Sequence, residues 1–320
     1  SETMTAADTE TIVQDQEMEE LALLAARQVL NRQSVDLHPM MSPGKVNHTY
    51  RADGGSDRVV IRLNGEPHRK HEFHKEQWAM EKARSVGVDT PKVLALGRIR
   101  DVSYQVQTFI DGRHPAADDV SAWVGIGRAL RAVHGVPVQG WGGRFDVESE
   151  VFVHCWEEHV ERCIGLLGET DPLRAHGLLD GALSTSLETA WRDLPGLPVG
   201  LSHGDVSVRN VLLRADGQTV LIDWGCAGAA SVPFADVISI AGEHDPSSPE
   251  IDAFFKGYGS SWDEMQPRLT AVATLGAVDL CRWAIDQRPD ELPRCLHQAR
   301  WALDFYWEGR PWRPRPDSPA

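Results

Sequence analysis

Three side chains of this 320-residue chain stand at spacings that could do chemistry together. His203-Gly204-Asp205 ends in a carboxylate, Asn210 follows five residues on, and Asp223 comes thirteen later, inside Val220-Leu221-Ile222-Asp223-Trp224-Gly225. Between them, Val211-Leu212-Leu213 and Val220-Leu221-Ile222 are apolar runs separated by Arg214-Ala215-Asp216-Gly217-Gln218. Asp-Gly between two such runs predicts a β-hairpin. A hairpin returns the chain, so Asp223 comes back beside Asn210. Two carboxylates and an amide oxygen, all hard ligands, then gather at one mouth. That set suits Mg²⁺, which binds few carboxylates and shares its shell with substrate phosphates. Any one piece alone is an ordinary turn or strand end.

H-G-D-x-x-x-x-N followed by I-D-W-G resembles the catalytic core of the aminoglycoside phosphotransferase family, a small-molecule branch of the protein-kinase-like fold. The resemblance implies a two-lobed α+β fold. Residues 1–111 form a nucleotide-binding lobe, a small antiparallel sheet with one helix behind an N-terminal helix. Residues 112–320 form a larger, mainly helical lobe with the catalytic loop and the acceptor site. It implies Asp205 as catalytic base, Asn210 as a metal ligand and Asp223 as the main metal ligand bridging the phosphates. His203 props the loop. Asp236, in Val232-Pro233-Phe234-Ala235-Asp236-Val237, opens a helix and hydrogen-bonds the loop from below. The implied donor is ATP or GTP with Mg²⁺, and the implied acceptor is a hydroxyl of a small molecule, an aminoglycoside-like antibiotic in the first instance.

The smaller lobe must present the nucleotide side. The family often shows G-x-x-N before a strand, and Ser42, Gly44 and Asn47 mark the corresponding nucleotide loop. Val60-Ile61-Arg62-Leu63 occupies the slot where protein kinases carry a lysine. Arg62 keeps a permanent charge and a planar fork for phosphate oxygens. On the following helix Glu76 is its expected ion-pair partner, with Glu72, one turn earlier, as the rival. Tyr104 to Gly112 resembles the linker whose backbone pairs with the adenine edge. Gln107 to Ile110 are its carriers, and Phe109 is either core or adenine wall.

The remaining chain bounds the substrate. No A-P-E segment follows Gly225, and Ser207 stands where Ser/Thr protein kinases keep a lysine, so a small molecule is expected as acceptor rather than a protein. Helices are expected over 17–30, 71–85, 151–167, 173–194, 251–258, 268–285 and 292–306, and residues 1–16 are expected to be mobile. Glu157, Glu158 and Glu161 form an acidic patch that reads first as a solvated face. Asp279 and Asp286, with Trp283 between, could face a cationic acceptor, though core plus solvent is the favoured reading. The net charge of −15 repels nucleic acid and anionic membranes and attracts cations, which fits a cationic acceptor and equally a plain solubility effect. No apolar run approaches the ~20 residues of a membrane span, and the acidic N-terminal stretch is no secretory signal. Five cysteines without a C-x-x-C pair read as buried free thiols in a reducing cytoplasm. Other acceptors (a macrolide, a nucleoside antibiotic, choline, homoserine) and a catalytically silent nucleotide-binding regulator are the alternative readings. Oligomeric state is not encoded in these motifs.

Overall fold

The computed structural model describes residues 6–41, 47–66, 69–116 and 118–316. The chain divides into two compact units, one of residues 1–81 and 90–111 and one of 82–89 and 112–320. Residues 82–89, the end of a helix and the turn after it, therefore group with the second unit rather than with a 1–111 lobe.

The smaller unit is a five-stranded antiparallel sheet with a helix on its face. Helix α1 (Ala6–Leu30) leads into β1 (Asp36–Met40), β2 (His48–Gly54) and β3 (Asp57–Asn64). Helix α2 (Arg69–Ser85), β4 (Val93–Ile99) and β5 (Val102–Thr108) follow, and the strand order is β1-β2-β3-β5-β4. Strand periodicity sorts the side chains. Tyr50, Ala52, Val59, Ile61, Leu63, Val102, Tyr104 and Val106 pack against Met18, Leu21, Ala22, Ala25 and Ala26 of α1. The alternate residues of β3, Val60, Arg62 and Asn64, belong to the opposite face. Helix α1 starts eleven residues before the expected position 17.

The larger unit opens with α3 (Val120–His134), the hairpin strands β6 (Trp141–Asp146) and β7 (Val151–His154), and α4 (Trp156–Gly165). Next come the short α5 (Pro172–Ala175), α6 (Gly181–Trp191) and β8 (Val199–Ser202). The hairpin β9 (Val211–Leu213) and β10 (Thr219–Leu221) is followed by β11 (Gly228–Ser231). Four helices end the chain: α7 (Phe234–Glu243), α8 (Pro249–Tyr258), α9 (Trp262–Gln287) and α10 (Leu292–Ala302). A four-stranded sheet runs β7-β6-β11-β8.

Two expected helices are corrected. Residues 151–154 form β7, pairing Phe152 with Phe145 and Val151 with Asp146, and only Trp156–Gly165 is helical. The 173–194 segment breaks at Gly177, which has a left-handed φ of +67°, and restarts where the Asp180 side chain caps Leu183 N at 2.8 Å. A single π-turn, Leu303–Trp307, replaces the last turn expected of 292–306. Cys163, Cys281 and Cys295 are buried, but Cys226 is exposed and Cys155 half-buried. Among the described residues no helix is long and apolar enough to cross a membrane.

Candidate active site

The loop after β8 carries the first group of predicted residues. Gly204 has φ +82°, and a Cβ there would lie 2.1 Å from the carbonyl oxygen of Cys226, so the turn that presents Asp205 requires glycine. Beneath the turn lies Asp236, fully buried in the first turn of α7. Its carboxylate accepts from the backbone N–H of His203 (3.1 Å) and of Gly204 (2.8 Å), and from His134 Nε2 (2.7 Å). The other ring nitrogen of His134 meets the Tyr258 hydroxyl at 2.8 Å. Burial opposes charge on Asp236, but the hydrogen bond and charge of His134, the charge of His203 and the Gly204 amide together hold its pKa below the usual carboxylate range. Burial likewise pushes the Tyr258 hydroxyl up to about 12, helped by the charge of Asp236.

His203 ties the loop to the returning strand. Its Nε2 donates to Ile222 O (3.0 Å), and its Nδ1 accepts from the Asp205 backbone N–H (3.4 Å), which fixes one tautomer. Its ring packs against Trp224, with centroids 4.7 Å apart. Asp205 is partly exposed, and both of its oxygens are engaged. Oδ1 accepts from Arg209 Nη2 (2.9 Å) and Oδ2 from Asn210 Nδ2 (2.9 Å). Asn210 Nδ2 also reaches Asp205 O (2.8 Å), so the amide nitrogen is spent within the loop and the amide oxygen remains as a donor atom. Arg209 is held from behind by Glu243 at 3.0 Å. Burial works against the Arg209 charge, but the hydrogen bond to Glu243 and the charges of Asp205 and Glu243 raise its pKa.

The hairpin sets Asp223. Val211 pairs with Leu221, Leu212 with Val220 and Leu213 with Thr219, around a turn with Gly217 at φ +83°. One step further the Ile222 N–H donates to Asn210 O (2.9 Å), which brings Asp223 next to Asn210 in space. Asp223 adopts a left-handed conformation (φ 57°, ψ 70°), uncommon for a residue with a Cβ and concentrated at functional sites. Trp224–Cys226 then turn as a short 3₁₀ helix, with Trp224 buried and its indole donating to Leu221 O at 3.0 Å.

In the smaller unit Arg62 and Glu76 are both buried and joined by a direct ion pair. Glu72 instead pairs with Lys75 at 2.9 Å. Gln105, which faces Arg62 across β3 and β5, stands 3.4 Å from its guanidinium. Gln107 is half-buried, paired to Val60 and Val93. Phe109 is not core: it is half-buried, with the guanidinium of Arg58 4.6 Å and that of Arg51 6.0 Å from its ring centre. Asn47 accepts from Asn64 Nδ2 at 2.9 Å. Ser42 and Gly44 lie outside the described residues.

Residues 42–268 match the sequence profile of the phosphotransferase enzyme family. The chain belongs to this family. Its fold is the protein-kinase-like α+β fold. The crystal structure of aminoglycoside phosphotransferase APH(4)-Ia is 18% identical, with a TM-score of 0.60 over 88% of this chain and 98% of that one. A ternary complex of a thermostable mutant of the same enzyme with ADP and hygromycin B is 17% identical (TM-score 0.59; 87% and 96% covered). Choline kinase LicA from Streptococcus pneumoniae is 16% identical (TM-score 0.59; 91% and 100% covered). No curated protein sequence matches the chain. Identities this low carry the fold alone, so this phosphotransferase's substrate must be argued from its own residues. Its sequence does not announce Arg209, Glu243, His134 or Tyr258. Only Arg209, one position before Asn210, lay close enough to the motif to be noticed.

Proposed function

We propose that this phosphotransferase moves the γ-phosphoryl group of ATP, or of GTP, to a hydroxyl of a small molecule. The observation that carries the proposal is the bonded loop in which Asn210 holds the Asp205 carboxylate at 2.9 Å while its own backbone carbonyl receives the Ile222 N–H next to Asp223. Asp205 accepts or orients the proton of the attacking hydroxyl. Asp236 and His203 keep the loop in place through the backbone N–H groups of 203 and 204 and the Ile222 carbonyl. In the smaller unit Arg62, braced by Glu76, is the cation for nucleotide phosphates, and Phe109 is a ring surface for the base. The complexes of APH(4)-Ia with ADP or AMP-PNP and hygromycin B support this pairing of nucleotide donor and small acceptor.

The donor set fits a magnesium ion. The amide oxygen of Asn210 and the carboxylate of Asp223 are hard oxygen ligands, and a set with few protein ligands suits an ion that keeps part of its shell for phosphates. Mg²⁺ held there supplies charge neutralisation at the phosphates. The protein's own share is positioning and proton placement at Asp205.

Calorimetry of ATP binding with and without Mg²⁺ tests the assignment. Asp223→Ala should remove the Mg²⁺-dependent part of the affinity. Unchanged Mg²⁺-dependent binding would reject Asp223 as the ligand.

A further inference from the structure

The larger unit contains a pocket of ≈ 360 Å³, within the range of small-molecule sites. Its walls come from β6 and α4, from β11 and α7, and from α9 and α10. Two of these elements also serve the loop of Asp205: β11 pairs along β8, and α7 carries Asp236. Aromatic rings dominate the walls. Trp141 stands against Trp156 and His159, with ring centres 5.4 and 4.2 Å apart. Trp301 and Tyr306 meet edge to face at 5.8 Å. The indole N–H groups of Trp156 and Trp301 already donate to Leu194 O (2.7 Å) and Arg313 O (2.9 Å), so those two rings offer a ligand surface rather than hydrogen bonds.

A polycation would find little to bind here. Asp279 is the carboxylate of the lining among the described residues; it is matched by Arg162 at 3.1 Å and faces His159 at 3.7 Å. The net negative charge, which fits a cationic acceptor or plain solubility equally, is not concentrated here: Glu157, Glu158, Glu161 and Asp286 are all exposed. The lining instead offers donors. The Tyr306 hydroxyl and Arg315 Nε are buried without a hydrogen-bond partner. Orphaned buried donors are costly, and an oxygen brought by a ligand would satisfy them. Burial pushes the Tyr306 hydroxyl pKa up, and the Arg315 charge pulls against it; both residues line the pocket.

Gly276 is an independent sign. Glycine inside a helix is destabilising relative to alanine. At this position in α9 a Cβ would meet nothing within 4 Å beyond its own stretch of helix. The missing side chain leaves the lining open.

We infer that this pocket seats the body of the acceptor, and that the acceptor is an apolar, ring-bearing alcohol with a carbonyl, ether or carboxylate oxygen that meets Tyr306 and Arg315, not a polycationic sugar. That the ligand is the acceptor rests on the phosphotransfer reading; its chemistry rests on the walls.

The test uses the whole chain and anilinonaphthalene sulfonate, an aromatic probe with an anionic oxygen group. Calorimetry should show saturable binding that weakens by about tenfold or more in Gly276→Phe, whose ring fills the space, and by about tenfold in Arg315→Ala, which loses a charge-assisted hydrogen bond. Circular dichroism and ATP affinity should stay those of the unaltered protein in both variants, as the check on folding. Kanamycin, a polycationic aminosugar, should not displace the probe. Equal probe affinity in all three proteins, or displacement by kanamycin, overturns the ligand chemistry. The acceptor role is read from Mg²⁺-dependent ATP consumption. Ring-bearing alcohols with carbonyl or ether oxygens should drive it, and Gly276→Phe should cut it about tenfold or more with the KM for ATP unchanged. Consumption driven by kanamycin and indifferent to Gly276→Phe overturns the inference. Probe binding as predicted but consumption with neither class of alcohol removes the phosphotransfer reading and the acceptor role with it, while the ligand chemistry stands.

Discussion

Replacing Asp236 should cost the larger unit much of its stability, and the loss should depend on pH in a definite direction. The carboxylate is fully buried and accepts three hydrogen bonds, from His134 Nε2, His203 N and Gly204 N. Asp236→Ala strands all three donors. Breaking a buried, hydrogen-bonded charge pair by removing one partner costs about 3–5 kcal/mol, a large part of the roughly 5–15 kcal/mol that holds a domain folded. Asp236→Asn keeps the shape and one acceptor oxygen but turns an NH₂ toward donors, and should cost about 2–3 kcal/mol. The folded-state pKa of Asp236 lies below its unfolded value. Its stabilisation is therefore complete above the unfolded value and is lost as pH falls through the folded one. Urea unfolding of the native protein and Asp236→Asn at neutral pH should give midpoints far apart with equal slopes. The gap should narrow as pH is lowered below about 4. A gap that stays constant down to pH 3, or a variant as stable as the native protein at neutral pH, would show that the buried Asp236 carboxylate does not carry this stability.

Two further outcomes follow from the geometry. Glu76→Ala leaves Arg62 buried without its carboxylate and should destabilise by about 3 kcal/mol. The double replacement Arg62→Met with Glu76→Leu should recover most of that stability in thermal melts yet bind ATP much more weakly; ATP binding at native strength would remove Arg62 from the phosphate site. Gly204→Ala meets both a φ of +82° and a backbone oxygen 2.1 Å from the new Cβ, so it should lose more than about 2 kcal/mol in urea unfolding and most of its turnover. A variant with native stability and turnover would show that the loop does not need this turn.

How much of this could be read from the chain differs residue by residue. Asp205, Asn210 and Asp223 were legible because their relation is local: a five-residue loop and a hairpin whose Asp-Gly turn and apolar runs announce themselves. The sheet of the smaller unit was expected from the family resemblance, but its edge strand β1 (Asp36–Met40) was not singled out. Glu76 was the expected partner of Arg62, with Glu72 as the rival because a spacing of four puts both on one helical face. What separates them is Lys75, which takes Glu72 at 2.9 Å. The supports of the Asp205 loop were hidden by distance along the chain. His134 lies 102 residues from Asp236, Tyr258 lies 124 from His134, and Glu243 lies 34 from Arg209. In the sequence Val151-Phe152-Val153 reads as helix, because three apolar residues are too few to show a period. The strand there exists because β6 offers it a partner. The acceptor pocket was least legible. Net charge is a property of the whole surface, whereas the pocket's character comes from Trp141, Trp156, Trp301 and Tyr306, which only the packing of α4, α9 and α10 brings together.

We propose phosphoryl transfer to a hydroxyl with Asp205 as the base. The most direct test is Mg²⁺ and ATP with a panel of small alcohols, nucleotide consumption followed by a coupled assay, and the product identified by phosphorus NMR as a phosphate ester. The native protein should form the ester with an alcohol that also drives ATP consumption. Asp205→Asn should form it about a hundredfold or more slowly with ATP affinity unchanged, as expected when a general base is removed. Ester formation at the native rate in Asp205→Asn would contradict the account.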